Sequence, residues 1–144
     1  MEFKMEINNK GLYIYKNDDF VTYELDNDKI ILCGAPGAFT PGCTHKHLAG
    51  FVKAIEQFAE YKIVFVSVND PCVMDEWNKI YGHSSIDAVG DPLAKFVTEL
   101  GYSHDYGDSM GIRCHRFAVL IENGVLVKTF KSPFAQGVLA ELLP

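Results

Sequence analysis

An α/β fold, a mixed sheet flanked by helices, is what this sequence predicts, on three observations. Two short apolar runs, residues 29–33 and 63–68, have the unbroken hydrophobicity of strands buried on both faces. Between them Leu48, Phe51, Val52, Ile55, Phe58 and Ala59 recur at helical spacing, opposite a polar face of Lys46, Lys53, Glu56 and Glu60. Near the end of the chain, residues 116–121 and 125–130 flank Glu122-Asn123-Gly124, a strong signal for an antiparallel hairpin.

Taken in order, Phe3, Met5 and Ile7 alternate with polar residues, residues 8–11 read as a turn, and residues 12–15 are rich in strand formers. This predicts an N-terminal β-hairpin, with residues 20–25 pairing beside it. Asn27-Asp28 turns the chain into the first buried strand, and strand, helix and strand then make a right-handed βαβ unit. Asn69-Asp70-Pro71 caps a helix running to Tyr81, whose stripe of Met74, Trp77 and Tyr81 fits core or interface. Residues 87–90 form at most a short strand. Asp91-Pro92 opens a helix with Leu93, Phe96, Val97 and Leu100 inward, ended by Gly101. Residues 102–111 read as an irregular loop, and residues 134–143 as a closing amphipathic helix. Two βα units, a hairpin and a last helix make a thioredoxin-like pattern with an added N-terminal β-hairpin, in one domain over residues 1–144.

A chain of 144 residues hides roughly 68–70% of its extended surface on folding, enough for a real core without staples. With 13 basic and 19 acidic side chains and no basic run, nucleic acid and anionic membranes are poor partners. The four cysteines, at 33, 43, 72 and 114, show neither zinc-ribbon spacing nor a secreted disulfide framework. That usage suits a reducing compartment, and a soluble cytoplasmic protein is the expectation.

Chemistry concentrates in APGAFTPGCTHKHLAGF, residues 35–51. Thr40 is a good helix N-cap, and Pro41 falls at the first helical position, where a missing N–H costs nothing. Cys43 then lies in the first turn, where unpaired N–H groups and the helix macrodipole favour a thiolate. Free thiols titrate near ~8.5, and such surroundings bring them to roughly 3.5–7.5. A helical cysteine is otherwise a small hydrophobe. Here a cap places it rather than the apolar periodicity, and Gly34, Gly37 and Gly42 open the backbone around it. His47, one turn on, reads as a proton carrier or, with His45 and Cys43, a metal ligand. No second pair at ligand spacing accompanies it, and no metal is expected.

PGAFTPGCT followed by HKHLAGF resembles the active-site signature of the peroxiredoxins, specifically the type-five branch, called type II in plants. The resemblance extends to SVNDPCVMDEW at residues 67–77 and to GIRCHRFAVLIENGVLV at residues 111–127, three matches in order over about 100 residues. It implies a thiol peroxidase acting on hydrogen peroxide and organic hydroperoxides, with no cofactor. Cys43 stands at the family's peroxidatic cysteine, Thr40 at its threonine, Pro36 at the proline that walls the thiolate from water, and Arg116 at its active-site arginine. Arg113 matches a second arginine common in the branch, and Ala49 departs from a frequent proline. The family also implies a homodimer, with the start of the residue 71–77 helix and the active-site loop near the contact; exposed Phe39, Trp77 or Phe134 would fit it.

Peroxide attack leaves a sulfenic acid that must condense with another thiol before further oxidation. No cysteine follows Cys114, and Phe65 stands where plant relatives carry a resolving cysteine. Cys33, Cys72 and Cys114 match no resolver of the family. A one-cysteine cycle reset by external glutathione, glutaredoxin or thioredoxin is therefore expected, with a disulfide from Cys43 to Cys72 or Cys114 as the alternative. Two rival functions are a non-catalytic redox sensor or binding protein of the same fold, and a thioredoxin- or glutaredoxin-like disulfide reductase. Against the latter, Thr40 replaces the first sulfur of a C-x-x-C pair.

Overall fold

The computed structural model describes residues 5–7, 11–25 and 29–142. Its strands are β1 (Met5–Glu6), β2 (Tyr13–Lys16), β3 (Asp19–Thr22), β4 (Lys29–Gly34), β5 (Lys62–Ser67), β6 (Ile86–Gly90), β7 (Ser103–Asp105), β8 (Ile112–Cys114), β9 (Phe117–Glu122) and β10 (Val125–Thr129). The helices are α1 (Ala49–Lys53), α2 (Pro71–Tyr81), α3 (Lys95–Glu99) and α4 (Ala135–Leu142), and a π-helical segment, Cys43–Leu48, leads into α1. One sheet runs in the order β1-β10-β9-β4-β5-β6-β2-β3, while β7 and β8 form a separate ribbon. Within the large sheet β4, β5 and β6 are parallel and β9 is antiparallel to β4, the mixed arrangement of the thioredoxin-like fold.

The unbroken apolar runs follow from helices on both faces of the sheet. Ile31, Cys33 and Phe65 point to one side, packing with Phe51, Phe58, Met74 and Trp77. Ile30, Leu32, Val64 and Val66 point to the other, with Phe96, Val97 and Val119. Alternation along each strand therefore sends neighbours into two different cores. Asp70 caps α2 by accepting from the Val73 N–H at 2.9 Å, with Pro71 at the first helical position. Among the described residues no helix is long and apolar enough to cross a membrane.

Four expectations change. The N-terminal hairpin consists of β2 and β3, closed at Asn17 and Asp18, which both take positive φ as a two-residue hairpin turn requires. β1 instead crosses to the far side of the sheet and pairs with β10, covering what would be an open edge; the expected turn at residues 8–10 lies outside the described residues. The irregular loop expected over residues 102–111 opens with a strand, since β7 and β8 pair from Ser103↔Cys114 to Asp105↔Ile112, while residues 106–111 form the irregular connection between them. Leu93 faces solvent, 72% exposed, because the Asp91 carboxylate accepts from the Phe96 and Val97 N–H groups and Ala94 turns left-handed, so α3 starts only at Lys95. The stripe on α2 divides, with Met74 and Trp77 buried in the core and Tyr81 exposed at its end.

Trp77 carries a buried hydrogen bond that joins α2 to the segment bearing Cys43, its Nε1–H donating to the Thr44 hydroxyl at 2.9 Å inside the core. Trp77→Phe keeps most of the apolar area and leaves that hydroxyl buried without its donor. A loss of about 1–3 kcal/mol in urea unfolding is expected; an unchanged midpoint would show that the contact contributes nothing.

Candidate active site

The site is assembled at the C-terminal edge of the parallel strands. β4 ends at Gly34, where a Cβ would collide with the Phe117 ring of the neighbouring β9, so only glycine lets the two strands pair this closely. Ala35 is held by its N–H to the Val66 carbonyl at 2.9 Å. Half-buried Pro36 follows, and the loop is pinned by the Ala38 N–H donating to Asn69 Oδ1 at 3.0 Å. Phe39 has φ of 66°, a left-handed backbone that costs an aromatic residue energy and persists only where its surroundings over-determine it.

Thr40 precedes the helix as expected, its carbonyl accepting the first helical hydrogen bond from the Thr44 N–H at 3.0 Å. Its hydroxyl does something else. It donates to the Gly37 carbonyl at 2.7 Å and so ties the loop, and the side-chain cap expected from it is not among the described hydrogen bonds. Cys43 then enters a wider turn. Over Cys43–Leu48 the buried residues are Cys43, Thr44, His47 and Leu48, pairs spaced four apart, which keeps His47 one turn above Cys43 on the inner side.

Arg116 closes the site from the turn before β9. Its Nη2 donates to the Cys43 sulfur at 3.3 Å, and the sulfur's residue is 1% exposed. Gly42 permits the approach, since a Cβ there would lie 3.3 Å from that same Nη2. The second terminal nitrogen, Nη1, is buried and meets no acceptor among the described residues. The described hydrogen bonds of Arg113 go to backbone carbonyls and not to the residues around Cys43. Its side chain binds the Met110 carbonyl at 2.8 Å through Nε and the Val68 carbonyl at 3.0 Å through Nη1, clamping the β7–β8 ribbon to the end of β5.

His47 and His45 part company. His45 is exposed against the Tyr81 ring, whereas His47 is buried among Phe51, Phe65 and Phe134. Burial first, and then the charge of Arg116, lower the His47 pKa to about 3. It is therefore neutral, with Nε2–H donating to the Pro133 carbonyl at 2.9 Å and Nδ1 buried without a described partner. A neutral imidazole adds no second positive charge beside the guanidinium.

The other thiols differ. Cys114 is buried, its Sγ–H donating to the Ala35 carbonyl at 3.3 Å; burial, and next the charge on Cys43, push it up to about 12. Burial raises Cys33, inside β4, well above the ordinary thiol range. Cys72 is exposed on the first turn of α2, raised by partial desolvation and by Asp70 and Asp75. Sequence reasoning missed Asn69, read only as part of a helix start although it stands within SVND. It named Phe134 only as a candidate for the dimer contact and missed its place at the site, where its half-buried ring lies 5.7 Å from Cζ of Arg116; no short-range signal ties residue 134 to residue 116. Chemically, the arrangement offers a buried sulfur, a fixed positive charge in contact with it, and a spare donor on that same guanidinium.

A family model described as redoxin matches residues 15–142. The chain is 40% identical over 100 residues to peroxiredoxin-2C of Oryza sativa subsp. japonica, covering 66% of this chain and 62% of that one. It is 35% identical over 126 residues to the hybrid peroxiredoxin hyPrx5 of Haemophilus influenzae, covering 83% of this chain and 52% of the other. The chain thus spans between about half and somewhat under two thirds of the length of these curated relatives. Reduced Prx3 from Vibrio vulnificus, solved in complex with H2O2, superposes with a TM-score of 0.87 at 29% identity, covering 96% of this chain and 93% of that one.

Because the folded protein holds His47 neutral down to about pH 3 while an unfolded chain protonates it near 6.5, the unfolded state binds the extra proton between those values. Stability is expected to fall as pH drops through that window, by up to about 1.4 kcal/mol per pH unit from this residue. His47→Gln can still donate to Pro133 and cannot titrate, so its acid-side slope in chemical denaturation should be shallower; equal slopes would contradict a neutral His47.

Proposed function

We propose that this chain, which belongs to the redoxin family, is a thiol peroxidase of the type-five, plant type-II branch of the peroxiredoxins, with Cys43 as its nucleophile. The Cys43 thiolate attacks the terminal oxygen of a hydroperoxide and the O–O bond breaks. The sulfur is oxidised to sulfenic acid, and the departing hydroxide or alkoxide takes a proton from water. One observation carries the reading: the Arg116 guanidinium on the sulfur at 3.3 Å. One N–H meets the nucleophile and the buried Nη1 donor is free for the peroxide oxygen, where charge develops in the transition state. Thr40 holds the loop beside the helix start, and half-buried Pro36 is the residue to which the family resemblance assigns the screening of the sulfur from water.

Resetting in this reading is a one-cysteine cycle. Cys33 and Cys114 are buried and raised, and thiols so raised are poor nucleophiles toward a sulfenic acid at neutral pH. An external thiol such as glutathione, or a glutaredoxin or thioredoxin, condenses with the sulfenic acid to release water. A second thiol then cleaves the mixed disulfide and restores Cys43. Four free cysteines suit the reducing cytoplasm. The protein works as a homodimer in this reading, its contact formed by Phe39, Ile80 and Tyr81, exposed by 45%, 57% and 40%, with the Phe39 and Tyr81 rings 6.2 Å apart. Trp77, earlier a candidate for that contact, is fully buried and belongs to the core instead.

Peroxide consumption with excess thiol should vanish in Cys43→Ser and fall roughly 10²–10³-fold in Arg116→Met. Full activity in either variant would overturn the assignment. Sedimentation velocity should give a dimer for the parent and a monomer for Tyr81→Glu; a parent monomer would remove the dimer from this reading.

A further inference from the structure

Lys46 and Phe134 have no part in the chemistry above. Exposed Lys46 follows Cys43 by three residues, and its Nζ lies 4.6 Å from the centroid of the Phe134 ring. That half-buried ring is also 5.7 Å from Cζ of Arg116, which touches the sulfur. Its position is fixed on both sides: His47 holds the preceding Pro133 carbonyl, and the Phe134 carbonyl accepts from the Val138 N–H as α4 begins. An anchored aromatic surface therefore bridges a cation at the reacting sulfur and a cation in solvent.

The cation at the sulfur has Cys43 as its partner, whereas Lys46 has no carboxylate partner among the described ion pairs. Ion pairs among the described residues engage Lys62, Lys79 and Lys128, and none engages Lys46 or Arg116. A lysine that only solvated a helix face would not need a ring beneath it, and contact with the ring holds the ammonium near one place. A molecule whose hydroperoxide end reaches Cys43 and Arg116 would lay its apolar body along Phe134 and bring its far end to Lys46. The group that complements an unpaired ammonium there is a carboxylate.

We propose that Lys46, held on Phe134, is a specificity-determining residue that selects organic hydroperoxides carrying a carboxylate. The inference rests on the peroxidase reading and names its substrate class. In the step itself the Cys43 sulfur takes the terminal oxygen and is oxidised, the O–O bond breaks, and the carboxylate-bearing alkoxide leaves and is protonated by water.

The test compares 4-carboxycumene hydroperoxide with its methyl ester at low salt, with hydrogen peroxide as reference, in the parent and in Lys46→Met and Lys46→Arg. The parent is expected to prefer the acid by about five- to tenfold in kcat/KM. Lys46→Met should bring that ratio close to one, Lys46→Arg should retain it, and 0.5 M salt should compress it in the parent. A ratio unchanged in Lys46→Met, including an equal slowing of both substrates, overturns the inference while leaving the peroxidase intact. Failure of the parent to reduce hydrogen peroxide overturns the peroxidase reading, and this inference with it.

Discussion

The contact between Arg116 and the Cys43 sulfur is the interaction on which the rest of the site depends, and it joins residues 73 apart in the chain. Its reach is set by the sheet. β4 delivers the loop that bears Cys43, β9 starts beside Arg116, and the two strands pair down to Gly34↔Phe117. Glycine at 34 allows that pairing and glycine at 42 allows the guanidinium to arrive. Placing a charge in a low-dielectric setting is costly unless a partner and hydrogen bonds meet it. The neighbours of Arg116 are therefore an aromatic ring, a thiol and a neutral imidazole rather than another cation.

A second constraint is the widened turn at Cys43–Leu48. It turns both Cys43 and His47 inward while Thr44 meets Trp77 and Leu48 enters the core, so the reactive sulfur and the wall behind it are fixed by the same segment. Around it the polar side chains are held by backbone: Thr40 by Gly37, Asn69 by the Ala38 N–H, His47 by Pro133, Arg113 by Val68 and Met110. Preorganisation of this kind is what electrostatic stabilisation of a transition state requires, since nothing has to reorient when charge moves.

Local chemistry made much of this legible in the chain. Asp70-Pro71 marked the start of α2, Asn123-Gly124 marked the β9–β10 hairpin, and the apolar runs of β4 and β5 announced strands covered on both faces. Cys43, Thr40, Pro36 and Arg116 were named from motif and resemblance, and the structure brings them to one sheet edge. What was not legible depends on contacts between distant residues. Nothing within residues 5–7 says that β1 pairs with β10 rather than β2, since either strand could accept it. The π-helical turn has no short-range signature, because the same residues fit an α-helix equally well. Leu93 looked like core by spacing, yet a buried Asp91 that caps the N–H groups of Phe96 and Val97 moved the helix start past it. Phe134 reaches Arg116 only through the fold.

The most direct test of the central claim is the intact mass of the fully reduced protein after one equivalent of hydrogen peroxide, beside Cys43→Ser. The account requires gain of one oxygen in the parent, convertible to a glutathione adduct and absent from the variant. Loss of two hydrogens would place a partner thiol within reach of Cys43 and contradict the one-cysteine cycle. No rapid mass change in the parent would contradict the claim that Arg116 and Cys43 together form a peroxide-reducing centre.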